Sequence, residues 1–178
     1  MRLALVEGLA IEDRLFLCFY RRVRSRAVAA FSPAYGDDLP PDFWQQPVGG
    51  MTPQAAAKEW ALEAFRPYAC AARVLEAAGV LPSIPDEARL LAAWETENAR
   101  RAADAARGAP VYGPVQIDVM DFVDHRFRQA LLLGRERLGA EAFDHRWAER
   151  QSGCVTEKME KNWVSYFPES SLLSGAKC

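Results

Sequence analysis

Helix-forming residues dominate this chain, and the alternating runs of valine, isoleucine and threonine that build half-buried strands are nearly absent. Alanine, leucine, arginine and glutamate favour helices because their side chains lose little freedom there. Glycine and proline divide the helical pattern into segments. We therefore expect a mainly α fold, an irregular single-domain bundle of about six or seven helices.

Apolar residues recur at helical spacing within each segment. Pro67 is expected to kink or interrupt its helix. A buried strand would fit residues 15–20 as well as a helix does, and a small peripheral sheet would come from Arg2–Val6, residues 115–119 or residues 154–166. The expected helices cover residues 11–31, 53–66, 67–79, 85–107, 115–138 and 140–150, and a further helical pattern runs over 155–166.

One long loop interrupts the helical pattern. It covers residues 32–53, inside a domain expected to span 1–167, with a tail at 168–178. Loops of this length are often functional. A solvated linker gains nothing by exposing aromatic rings, so we expect a partner protein or the domain surface to cover those of this loop: Tyr35, Phe43 and Trp44.

Composition argues against several classes of partner. The formal net charge of −2 gives no overall attraction to nucleic acid or anionic lipid, and the longest apolar run is far below the ~20 residues that span a bilayer. The four cysteines have no zinc-site spacing, so we expect free thiols, no structural disulfide and a cytoplasmic location. No cofactor is expected.

A local basic cluster occupies residues 21–26, which hold four arginines. The neighbouring Phe19 and Tyr20 fall on the apolar arc of the predicted helix rather than beside the arginines. This favours a solvated or salt-bridged face over a nucleic-acid site. Internal ion-pair partners are close in sequence: Asp37, Asp38 and Asp42.

Both histidines lie in an Asp-His-Arg tripeptide. Asp118, Asp121 and His125 share one face of the predicted 115–138 helix, almost opposite its apolar arc. Such a row usually belongs to the solvated face of an amphipathic helix, so no metal is expected. The alternative is a metal or acid–base site made by these three residues, which His145 would join if a bend folds the next helix back.

Motifs for nucleophilic catalysis and for phosphate binding are absent from the sequence. The leading interpretation is a non-catalytic accessory subunit that binds another protein or a peptide, as a component that supports a biosynthetic enzyme complex would. Aromatic residues outside the helices are its expected contacts: Tyr35, Phe43, Trp44, Trp163, Tyr166 and Phe167.

Two alternatives stay open. The first is a small helical metalloenzyme that uses the Asp-His row. The second is a helical ligand-binding or regulatory domain, whose apolar pocket would be lined by Trp60, Phe65 and Trp94.

Overall fold

The computed structural model describes residues 2–36, 38–80 and 87–158. This part of the chain is mainly α, as expected, with a small antiparallel sheet of order β2-β1-β3. The strands are β1 (Arg2–Val6), β2 (Leu9–Glu12) and β3 (Thr156–Lys158). The helices are α1 (Asp13–Phe31), α2 (Pro53–Ala77), α3 (Glu87–Ala106), α4 (Val119–Leu138) and α5 (Ala140–Ser152).

The expected number of six or seven helices was wrong, because the described residues contain five α-helices. Pro67 lies inside α2 without ending it. Its ring removes one intrahelical donor, but the carbonyl that loses this donor belongs to Glu63, whose side chain is exposed, so water can replace it. Of the further helical pattern expected over 155–166, the described residues show a strand, β3, at 156–158, and residues 159–166 lie outside the described part.

The sheet was only partly expected. Arg2–Val6 is a strand, and β3 lies within the 154–166 segment. Residues 115–118 form no strand, and α4 begins at Val119 with Asp118 as its N-cap. Residues 9–12 extend the sheet, although a helix was expected to begin at residue 11. The helix α1 starts at Asp13 instead, and residues 15–20, for which a strand was the alternative, are helical.

A two-residue turn joins β1 and β2. Val6 pairs with Leu9, and the intervening Glu7 and Gly8 both have positive φ, 53° and 70°. Such left-handed turns match the twist of a hairpin. The conformation costs little at Gly8 but is strained at Glu7, so other contacts must hold Glu7 in place.

Glu7 makes those contacts with distant parts of the chain. Its backbone N–H donates to the Val155 carbonyl at 2.9 Å, and its carboxylate accepts from the Val155 N–H at 2.9 Å and from Arg150 at 2.8 Å. Its carbonyl accepts from Nε of Arg73 on α2 at 2.9 Å. The turn is therefore fastened both to α2 and to the segment that follows α5.

The main core lies between α1, α2 and the sheet. Phe16, Phe19 and Tyr20 of α1 are fully buried, and Phe19 meets Phe65 of α2 edge to face at 5.6 Å between ring centroids. Residues of β1, β2, α3 and α4 complete the same cluster. None of the described helices is both long enough and apolar enough to cross a bilayer.

A second cluster forms where α4 and α5 pack on α2. It consists of Val74, Leu75, Val80, Ala130 and Phe143. Gly134 of α4 faces this cluster: a Cβ atom built on it would lie 2.5 Å from Leu75 Cδ2 and 2.8 Å from Phe143 Cε2. The close approach of α4 to its neighbours thus requires a glycine at this position.

We expect Gly134→Ala to destabilise the protein by about 1–3 kcal/mol, the usual cost of overpacking a close-packed core. Alanine normally favours a helix over glycine by roughly 1 kcal/mol, so a loss would reverse the intrinsic preference. Urea unfolding measures the change. The control is Gln129→Ala on the exposed face of the same helix, which should change little; a stabilised Gly134→Ala variant would contradict the close packing.

A second prediction concerns Glu7 and pH. Burial alone would raise the pKa of Glu7, but the Val155 N–H and Arg150 outweigh it and lower this pKa. A carboxyl whose pKa is lower in the folded state stabilises the protein above its unfolded pKa and loses this contribution as pH falls through the folded value. Glu7→Gln should therefore be less stable than the parent at pH 7, with the gap closing in acid. Unfolding midpoints between pH 7 and pH 3 test this, and a gap independent of pH would contradict it.

Candidate functional site

The loop between α1 and α2 is held by its own hydrogen bonds. A 3-10 turn, Ser32–Ala34, opens it. The Gln46 side chain donates to the Asp42 carboxylate at 2.8 Å. Val48 and Met51 exchange backbone hydrogen bonds of 2.9 and 3.3 Å around a turn of two glycines with positive φ. Despite its prolines and glycines, the described part of the loop therefore has a defined conformation.

The aromatic residues of the loop pack on one another and on the domain. Phe43 is only 3% exposed and meets Tyr35 and Trp44 edge to face, at 5.6 and 5.3 Å between ring centroids. Trp44 is half-buried against the main core, and the Arg24 guanidinium of α1 lies 4.9 Å from its ring centroid. Phe43 is thus an internal anchor of the loop, and only Tyr35 and Trp44 keep accessible surface.

Aliphatic residues give the loop its exposed apolar surface. Leu39 is 43% exposed and Met51 is 47% exposed. The sequence analysis missed both because it weighed only aromatic rings. The sequence does contain a signal for them, since both are large apolar residues close to prolines or glycines of the loop. Few helical neighbours are available there to cover such a residue.

The basic cluster of α1 was expected to form a solvated or salt-bridged face, and it also contacts aromatic rings. Two of its arginines lie over tryptophan rings: Arg24 over Trp44, as above, and Arg26 over Trp60 at 4.2 Å from the ring centroid. Cation–π contacts of this kind hold a guanidinium in place without neutralising its charge. Phe19 and Tyr20 are buried, as their place on the apolar arc predicted.

Arg22 alone shows a strong ion pair among the contacts described for this cluster. Its Nη1 lies 3.2 and 3.0 Å from the two carboxylate oxygens of Asp124 on α4. Of the loop acids expected as partners of the cluster, Asp42 accepts from Gln46, and Asp37 lies outside the described residues. The ion pair joins α1 to α4 instead of joining α1 to the loop.

Asp124 also accepts a hydrogen bond from a residue of α2. The Tyr68 hydroxyl donates a short hydrogen bond to Asp124 Oδ1. Burial raises the pKa of Tyr68 to about 12, and the hydrogen bond to Asp124 adds to this effect. The phenol therefore stays protonated at neutral pH and keeps donating to Asp124. The Arg22–Asp124–Tyr68 group ties three helices together.

The structure assigns different roles to the residues of the Asp-His row. Asp118 is the N-cap of α4, and its carboxylate accepts from the Met120 N–H at 2.8 Å. Asp121 and His125 are exposed on the helix. Both border a cavity of about 250 Å³ beside Tyr112, and Asp121 also borders one of about 500 Å³ between α1 and α4 with Asp118.

His145 stands apart on α5, 71% exposed, with Nδ1 3.5 Å from the Glu149 carboxylate. Among the described residues, the ligand atoms that come close enough to share a metal ion belong to another set: Glu12, Asp13 and Glu87. Sequence reasoning missed this set because the residues come from two distant segments.

The three aromatic residues expected to line an apolar ligand pocket each contact a different part of the chain. Phe65 fills the main core, where it contacts Phe19. Arg26 covers Trp60. The Trp94 indole N–H donates to the Ile117 carbonyl at 2.8 Å. Three other aromatic residues of the expected partner surface lie outside the described residues: Trp163, Tyr166 and Phe167.

We expect Tyr68→Phe to destabilise the protein by about 1–2 kcal/mol, because it removes a hydrogen bond to a charged carboxylate and leaves the packing of the ring in place. Urea unfolding at pH 7 measures it. The matched control is Tyr112→Phe, since Tyr112 is 89% exposed and should lose nothing. Equal stability of Tyr68→Phe and the parent protein would show that the hydroxyl does not join the helices.

Comparison of this chain with models of protein families, with curated proteins and with solved structures finds no match.

Proposed function

We propose that this protein is a non-catalytic partner protein that binds an apolar and acidic segment of another protein. The binding surface would be the loop of residues 32–52 together with the arginine face of α1, which we call the loop–arginine surface. The observation that carries the proposal is the anchored loop: Phe43 is buried while Leu39 and Met51 remain exposed.

Anchoring favours binding because a preformed loop loses little conformational freedom when a partner arrives. The Phe43 ring fixes the backbone between the two exposed residues, and Met51 itself belongs to the turn that it forms with Val48. Leu39 and Met51 would then supply apolar contact area, and methionine adapts readily to different partner surfaces.

The preference for acidic groups comes from the arginines. Arg26 is exposed and is positioned by Trp60, so its charge projects from a defined surface near the base of the loop. A guanidinium over an indole ring still presents its N–H groups to a carboxylate in bidentate geometry. Arginine beside partly buried tryptophan is also a frequent composition of interaction hot spots.

The described residues offer little support for the two alternatives. Of the row considered for a metalloenzyme, Asp118 caps α4 and His145 pairs with Glu149. The rings considered for a ligand pocket contact the chain itself. The finer idea of a biosynthetic enzyme complex stays a prediction, as does a contribution from Trp163, Tyr166 and Phe167.

The test is a selection of displayed peptides against the purified protein. We expect enrichment of sequences in which aspartate or glutamate stands beside large apolar residues. The double variant Leu39→Ser/Met51→Ser should weaken binding of the selected peptides by more than about 2 kcal/mol, as loss of hot-spot contacts does. Arg26→Ala should also weaken peptide binding, and this loss of affinity should be larger at low salt than at high salt, because salt screens exposed charges.

Two controls distinguish binding from folding. Val155→Ser, at an exposed apolar residue outside the loop–arginine surface, should leave peptide binding unchanged. Phe43→Ser should instead lower the free energy of unfolding by about 3–5 kcal/mol, the range for emptying a buried aromatic site. Selected peptides that bind the Leu39→Ser/Met51→Ser variant as well as the parent would refute the proposal.

A further inference from the structure

Three carboxylates from two distant segments meet where α1 and α3 begin. Glu12 precedes α1, Asp13 is the first residue of α1, and Glu87 is the first residue of α3. One oxygen atom of each carboxylate lies within 4.8 Å of those of the other two. Acids are favourable in the first turn of a helix. Three acids this close nevertheless repel one another, and the Glu12 side chain makes no capping hydrogen bond to α1.

Glu87 gives an independent indication that something is bound here. The residue is only 9% exposed, and its Oε2 atom is buried without a hydrogen-bond partner among the described residues. A buried carboxylate oxygen needs a donor, a proton or a metal ion. Burial raises the pKa of Glu87, and the nearby Glu12 and Asp13 carboxylates raise it further. Hydrogen bonds from the Leu15 and Glu12 backbone N–H groups act in the opposite direction.

We propose that Glu12, Asp13 and Glu87 form a binding site for a hard divalent cation, with calcium as the favoured ion. Calcium prefers oxygen ligands at about 2.3–2.6 Å, and two ligands of one ion at that distance can be at most about 5 Å apart. The observed spacing of up to 4.8 Å satisfies this limit. Magnesium usually keeps several waters and binds through one or two carboxylates, so a set of three carboxylates favours calcium.

The site has the composition that calcium requires. Three carboxylates supply the charge that outweighs the unfavourable positive ends of α1 and α3. A bound ion would reduce the mutual repulsion of the three acids and would give the buried Glu87 carboxylate a positively charged partner. It would also link the start of α3, which follows residues outside the described part, to the start of α1.

The experiment uses the whole protein after treatment with a chelator. Calorimetric titration with calcium chloride should show one saturable site per chain. At about a hundredfold excess over the dissociation constant, the thermal midpoint should rise by roughly 5–10 °C. Magnesium and manganese chlorides are titrated in parallel, and calcium should bind more tightly than magnesium.

Glu87→Gln separates the metal from the fold. In chelator at pH 7 the variant should be more stable than the parent. A carboxyl whose pKa is raised in the folded state makes the protein less stable as pH rises from the unfolded to the folded pKa, and glutamine does not ionise. Its calcium affinity should nevertheless fall at least ~10-fold, with loss of the calcium-induced rise in midpoint. The matched control, Glu141→Gln in the first turn of α5, should leave both measurements unchanged.

Each remaining outcome would overturn the site. One is the absence of saturable binding of calcium, magnesium and manganese at millimolar concentrations. Another is undiminished calcium affinity in Glu87→Gln. If Glu87→Gln is stabilised in chelator while the parent binds no metal, a proton shared within the cluster accounts for the buried carboxyl, and the metal site is refuted.

Discussion

Burial of apolar surface along α2 is the interaction on which the rest of the molecule depends. This helix packs against α1 on one side and against α4 and α5 on another, and β1 lies near it as well. Phe65 joins the main core, and Leu75 joins the second cluster, so both clusters use the same helix. The uninterrupted passage through Pro67 is therefore essential, because a break there would separate the two clusters.

The start and end of a helix and its buried face were read correctly where residues a few positions apart determine them. The Thr52 side chain accepts from the Ala55 N–H at 3.1 Å and Pro53 begins α2, as an N-cap followed by proline predicts. Gly139 ends α4 with a φ of 82°. The apolar arc of α1 likewise identified Phe19 and Tyr20 as core residues. In these cases the determining atoms lie within a few residues of one another.

The errors share a different physical origin. Whether Pro67 ends a helix depends on the neighbours that stabilise α2, and whether Phe43 faces a partner depends on the packing of Tyr35 and Trp44 around it. The Asp-His row was evaluated as one helix face, yet Asp118 became a cap because α4 starts one residue after it. The meeting of Glu12 with Glu87 is set entirely by how α1 and α3 lie in the folded protein.

The position of β1 between β2 and β3 has a consequence for folding during synthesis. One edge of β1 pairs at once with its neighbour in sequence, but the other edge and the strained Glu7 turn wait for Val155, which follows Glu7 by 148 residues. At a synthesis rate of about 5–20 residues per second, that edge stays without its partner for roughly 7–30 s. An unpaired strand edge invites association with other chains. A nascent chain of this protein therefore has its period of greatest aggregation risk before α5 and β3 leave the ribosome.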